Sequence, residues 1–148
     1  MRFQKKDLDR YAYMLPALRY IRDEVNTYFG IQEYSRRSRR KDHVKARQFM
    51  FYFAKKYTKL SLASIGLLYN PDDPHDHATV RHCCNAVDTN RHTVINGWVI
   101  YPDYVDAYNA LDGKINSYFK TYMRMLSRRR LYHTHNIKRV LRVWYGSV

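Results

Sequence analysis

Between residues 75 and 92 the chain gathers His75, His77, His82, Cys83, Cys84 and His92, side chains able to ligate zinc. They fit no usual set of paired Cys-x2-Cys and His-x3–5-His spacings, and adjacent cysteines on a helix point in different directions. No metal site is therefore expected, and Cys83 or Cys84 reads as a small apolar core residue. Asp76-His77, Asn85 and His92 also fall in the order of a His-Asn-His endonuclease, in which a histidine activates water and a metal steadies the leaving oxygen. That chemistry wants its histidine on a strand, whereas the flanks of Asp76 read as a turn and then a helix. No catalytic residue is assigned; the nuclease stands as the alternative reading. Of five glycines only Gly113 precedes a lysine, and Ile115 follows that, so no nucleotide-binding loop is expected and no cofactor is implied.

The remaining chemistry is recognition of a polyanion. The 148 residues carry a formal net charge of +14, and that charge is concentrated. Residues 35–59 hold ten lysines and arginines against one acid, Asp42, and residues 98–148 hold nine against three acids. Residues 61–97 have two bases and four acids. A long run of one sign is the footprint expected for nucleic acid, since each neutralised phosphate releases condensed counterions. No apolar run approaches the roughly 18 residues of a membrane span. Adjacent cysteines suit a reducing compartment better than a structural disulfide. The expectation is one small, basic, cytoplasmic domain (host cytoplasm, were a phage its source) with no membrane or nucleotide partner.

The elements that must position these residues are helical. Leu18, Ile21, Val25 and Tyr28 step by three and four toward a stop at Gly30. Ser35 to Lys41 is too charged to pack and reads as an ordered loop or arm. Val44 to Tyr57 is apolar on almost all sides, which suits the centre of a bundle, with Ala46, Met50, Phe53 and Tyr57 on the buried stripe. Ser61 reads as the N-cap of a short helix through Tyr69 that turns Leu62, Ile65 and Leu68 inward. Asn70-Pro71-Asp72-Asp73-Pro74 is a breaker, and a further helix spans about Asp76 to Asp88, with Val80 and Val87 inward. Thr93 to Ile100 is a turn around Asn96-Gly97 compatible with a small hairpin.

Tyr104, Tyr108, Leu111, Ile115, Tyr118, Tyr122 and Met125 then mark a long amphipathic helix. Its stripe would bury against residues 18–60 or against a second copy, the former being favoured because the repeat is too short for a coiled coil. Ser127-Arg128-Arg129-Arg130 interrupts it, and Ile137 to Trp144 could form a last basic helix. Two helices joined by a short, breaker-rich connection after a basic arm are consistent with a helix-turn-helix.

Four pieces in order make residues 21–87 resemble the C-terminal DNA-binding domain of the bacterial replication initiator DnaA. They are Tyr28-Phe29-Gly30-Ile31; Arg36-Arg37-Ser38-Arg39-Arg40 followed by Lys45-Ala46-Arg47-Gln48; Ser61-Leu62-Ala63-Ser64-Ile65-Gly66; and Asp76-His77-Ala78-Thr79-Val80-Arg81-His82. The last is similar to the family signature Asp-His-Thr-Thr-Val-x-His at the start of the recognition helix. The resemblance implies an all-α, Trp-repressor-like helical bundle with a helix-turn-helix core at 21–90, while the length and periodicity of the chain read as a single domain over 1–148 with a basic helical extension at 98–148. It implies duplex DNA as partner, read for origin recognition or transcriptional control by a stand-alone protein. The extension would be free to join two copies or a replication protein, and a helical interaction module is a further alternative.

Residue by residue, the resemblance implies that Asp76, His77, Ala78 and Thr79 read the major groove. Chemistry fits: the carboxylate can accept from a cytosine amino group, and the Ala78 and Thr79 methyls can meet thymine. Arg39, with Arg40 close behind, would enter the minor groove. Arg36, Arg37, Lys41, Lys45, Arg47, Gln48, Lys55 and His75 would hold phosphates, which fixes register without reading sequence. The family's glycine-rich turn is replaced here by 70–75 with two added acids, so either the loop points away from the phosphates or binding is weaker. Ala78 in place of a threonine keeps a methyl and loses a hydroxyl, which shifts the preferred site.

Overall fold

The computed structural model describes residues 11–35 and 37–129, and they form an all-helical fold with one small hairpin. A 3-10 turn at Ala12–Met14 leads into α1 (Leu15–Phe29). Then come α2 (Lys41–Thr58), α3 (Leu62–Tyr69), α4 (His77–His92), β1 (Val94–Ile95), β2 (Trp98–Val99) and α5 (Pro102–Arg129).

α1 buries Leu15, Ala17, Leu18, Ile21 and Val25. It ends because Gly30 takes the left-handed conformation, φ 68°, and its N–H turns back to the carbonyls of Asn26 and Thr27. Tyr28, expected on the buried stripe, is exposed and lies edge-on to Phe29, 5.0 Å between centroids. α2 is the central helix. Phe49 and Phe53, one turn apart, are fully buried on one side of it and Phe51 on the opposite side, beside Ala46, Met50 and Ala54. The Phe49 ring lies 5.9 Å from Phe29, 6.0 Å from Phe53 and 5.7 Å from Tyr104, which ties α1, α2 and α5 into one core.

Ser61 caps α3 by accepting the Ser64 N–H at 3.1 Å, and Ile65 and Leu68 are buried beneath it. Gly66 explains the end of the Ser-Leu-x-x-Ile-Gly motif. A Cβ there would stand 2.2 Å from the His75 carbonyl oxygen and 3.3 Å from a Val80 methyl, so only glycine lets α3 pack against the turn that feeds α4.

α5 has 28 residues and runs about 42 Å at 1.5 Å per residue. Tyr104, Ala107, Leu111, Ile115, Phe119, Tyr122 and Leu126 are buried, with Tyr108, Tyr118 and Met125 half-buried alongside. The stripe packs within the chain: Tyr118 stacks on Tyr20 of α1 at 3.9 Å, and the Tyr122 hydroxyl donates to the Tyr13 carbonyl. Against α2, Lys56 Nζ donates to the Tyr108 hydroxyl at 2.6 Å and pairs with Asp112 at 2.9 Å, while the Tyr57 hydroxyl donates to the same carboxylate. Ser127 to Arg129 continue the helix instead of interrupting it, because arginine is a good helix former and no proline or glycine intervenes. The expected helix 137–144 lies outside the described residues.

Candidate nucleic-acid interface

Asp76, in extended conformation at φ −72° and ψ 164°, is the N-cap of α4, and its Oδ1 accepts the Thr79 N–H at 2.7 Å. That backbone hydrogen bond holds its carboxyl below the ordinary carboxylate range. His77, Ala78 and Thr79 form the exposed first turn of the helix. Val80, Cys84 and Val87 anchor the opposite face in the core. Asp76 and His77 therefore stand at a helix tip, not on the strand that His-Asn-His chemistry requires. The outer face continues through exposed Arg81 and His82, one turn on from Ala78, and Asn85, two turns on. Arg81 and His82 were not assigned from sequence, although their three- and four-residue spacing from Ala78 already places them on that face.

The loop 31–40 lies against the turn that delivers this tip. Arg47 of α2 holds it from below, donating from Nη1 to the Ser35 carbonyl at 2.6 Å and from Nη2 to the Ser38 carbonyl at 2.5 Å. The loop tightens on itself through Ser38 N–H to Ser35 Oγ at 3.2 Å and Arg40 N–H to Ser38 Oγ at 3.3 Å. Arg37, Arg39 and Arg40 are left exposed at its outer edge, and Lys41 is exposed where α2 begins. Arg36 lies outside the described residues. Across to the turn, Arg37 pairs with Asp73 at 3.6 Å, both side chains reaching solvent, so Asp73, one of the two added acids, faces the arginine loop.

Three of the proposed phosphate contacts are engaged inside the chain. Lys45 pairs with Asp103 of α5, and the Tyr104 hydroxyl donates to Gln48 Oε1 at 2.6 Å. Arg47 is the loop clamp. Lys55 remains exposed on α2, beside Cys84. His75 departs furthest from expectation. It is buried, its ring packs edge-on against Phe51 at 5.1 Å, and Nε2 meets the Tyr34 hydroxyl at 3.3 Å, so it secures the turn from within and offers no ring to a phosphate. Burial pushes both cysteine thiols up to about 11, so they stay protonated and serve as packing.

Residues 18–87 match the family described as the bacterial DnaA protein helix-turn-helix. That stretch is similar to the helix-turn-helix of DnaA proteins. Over 74 residues the chain is 40% identical to the chromosomal replication initiator protein DnaA of Flavobacterium psychrophilum, an alignment covering 49% of this chain and 15% of that protein. DnaA proteins of two Porphyromonas gingivalis strains are 33% identical over 89 residues, 59% of this chain and 16% of theirs. The chain thus spans about one sixth of the length of these relatives. No solved structure matches it. The DnaA-like segment ends at Val87, five residues before α4 does, so the hairpin and α5 lie beyond it. Among the described residues no helix is long and apolar enough to cross a membrane.

Proposed function

We propose that this chain binds duplex DNA in a sequence-dependent way through α3 and α4, for recognition of a replication origin or control of transcription. One observation carries the reading: a capped, solvent-facing helix tip, Asp76 to Thr79, stands beside a loop that an internal guanidinium clamp holds with Arg37, Arg39 and Arg40 outward. A tip of this kind enters the major groove, while the loop arginines reach the neighbouring minor groove and backbone. Lys41 and Lys55 add phosphate contacts. Arg81 extends the reading face and has the fork that matches guanine O6 and N7. Lys45, Gln48 and Arg47 serve the interface indirectly, by fixing α2 to α5 and shaping the loop. The binding needs no nucleotide, and its setting is the cytoplasm, beside DNA. The match to DnaA proteins supports the same reading.

Selection of bound sequences from a random duplex pool tests it. One enriched short motif is expected, and His77→Ala should relax its consensus while leaving weak, salt-sensitive binding to arbitrary duplex in place. Recovery of no motif from the wild-type chain would remove sequence reading from the proposal.

A further inference from the structure

α5 changes sign along its length. Asp103, Asp106 and Asp112 are the only charged residues from 102 to 112, whereas residues 113–148 hold nine lysines and arginines and no acid. The register of α5 on α2 fixes where the positive half goes. Lys45 pairs with Asp103, the Tyr108 ring lies 6.0 Å from Phe53, and the Phe119 ring lies 5.3 Å from Tyr57, so the two helices run side by side in one direction. The arginine loop stands before the start of α2, while Lys120 and Arg124 lie past the level of Tyr57. Arg40 and Tyr57 are 17 residues apart, about 26 Å along the helix. Between the two positive regions the outer charges of α1 cancel, since Arg19 and Arg22 both meet Asp23 at 3.7 Å.

We propose that the second half of α5 is a second, sequence-independent contact for the phosphate backbone of duplex DNA, so that one chain holds two duplex segments at once. Lys120 and Arg124, four apart on one face, are exposed, and no acid among the described residues pairs with them. Lys114 meets Glu24 at 4.0 Å with most of its side chain in solvent, a weak pair that a phosphate can replace. Arg128 and Arg129 continue the series to the end of the helix. Gly113, Ser117 and Thr121 step along the same outer side and, with Tyr20 and Tyr118, line a shallow groove beside Lys114 that a sugar–phosphate chain can approach. The helix dipole does not account for these charges. It acts within the last turn, and Lys120 and Lys114 stand nine and 15 residues before Arg129. A membrane is the poorer occupant, because an interfacial helix needs an exposed apolar face. Here Ile115, Phe119, Tyr122 and Leu126 are buried, and among the described large apolar side chains after Gly113 only Met123 is exposed. Bridging, unlike the contact itself, rests on the reading surface proposed above.

Binding of an arbitrary duplex to the full chain, followed against salt concentration, tests the second contact without any sequence reading. A chain carrying Arg37→Gln, Arg39→Gln and Lys41→Gln should keep salt-sensitive duplex binding. Adding Lys114→Gln, Lys120→Gln, Arg124→Gln, Arg128→Gln and Arg129→Gln should weaken that binding roughly tenfold or more and flatten the log–log salt slope by about three. Circular dichroism should not change, since glutamine keeps the helix propensity of lysine and arginine. For bridging, a motif-bearing duplex fixed to beads and saturated with wild-type chain should capture a second, labelled duplex. The chain with the α5 substitutions alone should hold the fixed duplex within about twofold of wild type and lose the capture. Three results would overturn the second contact: a loop variant that no longer binds duplex at all, a salt slope indifferent to the α5 substitutions, or tighter binding to phosphatidylserine vesicles or polyglutamate than to duplex. Equal loss of the fixed duplex from the α5 substitutions would show one continuous surface and overturn the bridge.

Discussion

The basic residues of α2 and those of the loop before it come from one continuous positive run, yet the fold uses them differently. Arg37, Arg39, Arg40 and Lys41 stand in solvent. A few residues on, Lys45, Arg47 and Lys56 are engaged within the chain, by Asp103, by the loop carbonyls and by Asp112. Charge in a sequence marks a region, but partners distant along the chain decide which cations are left to meet a phosphate. Here those partners come largely from α5, some 56 residues away in sequence.

Ways to break that contrast begin with the helix that supplies the partners. Ile115→Ala removes a fully buried side chain from α5 and should cost about 3–4 kcal/mol in urea unfolding. Gly66→Ala attacks the turn, forcing the His75 carbonyl away, and should cost about 2 kcal/mol and loosen α4 as well. A cost below a few tenths in either case would mean that the packing described is not what holds the element.

Binding measurements sharpen the contrast further. Arg39→Ala should lose about 1–3 kcal/mol on the selected site with no change in thermal midpoint. Arg47→Ala should lose a comparable amount by releasing the loop, so the double variant should be little worse than either single one. Additive losses would show that Arg47 contacts DNA in its own right.

The smallest effect belongs to the Lys56–Asp112 latch. Burial pushes the Asp112 carboxyl up, but the Tyr57 hydroxyl and the Lys56 ammonium outweigh it and hold its pKa below the ordinary value of 3.8. A depressed folded value means the contribution is complete above the unfolded pKa and disappears as pH falls through the folded one. Asp112→Asn should therefore cost on the order of 1 kcal/mol near neutrality, and the gap to wild type should close below about pH 3.8. A gap independent of pH would assign the cost to packing.

What the sequence made legible was local. The stop at Gly30, the cap at Ser61, the helix start at about Asp76 and the Asn96-Gly97 turn each depend on one or two residues and their neighbours, and all four stand where the spacing predicts. That His77 to Thr79 form the first turn of a helix was legible for the same reason. His75 was not, because its burial depends on Phe51 and Tyr34, neither near in sequence. Nor was the inward turn of Lys45 and Gln48, which requires the first turn of α5 to dock on α2. The run Ser127 to Arg129 misled in the opposite sense: its polarity reads as a boundary, but a surface helix accepts such residues without a break.

α5 reaches from the N-terminal residues to the hairpin and touches α1, α2 and α4 on the way. Such a spine makes independent melting of the DnaA-like segment costly, since a chain cut after Thr93 would leave Phe49, Tyr57 and Tyr20 without their aromatic partners on α5. Slow amide protons of α2 and α5 should consequently exchange through one shared global opening, and a protease that severs the middle of α5 should release the reading helix from its seat.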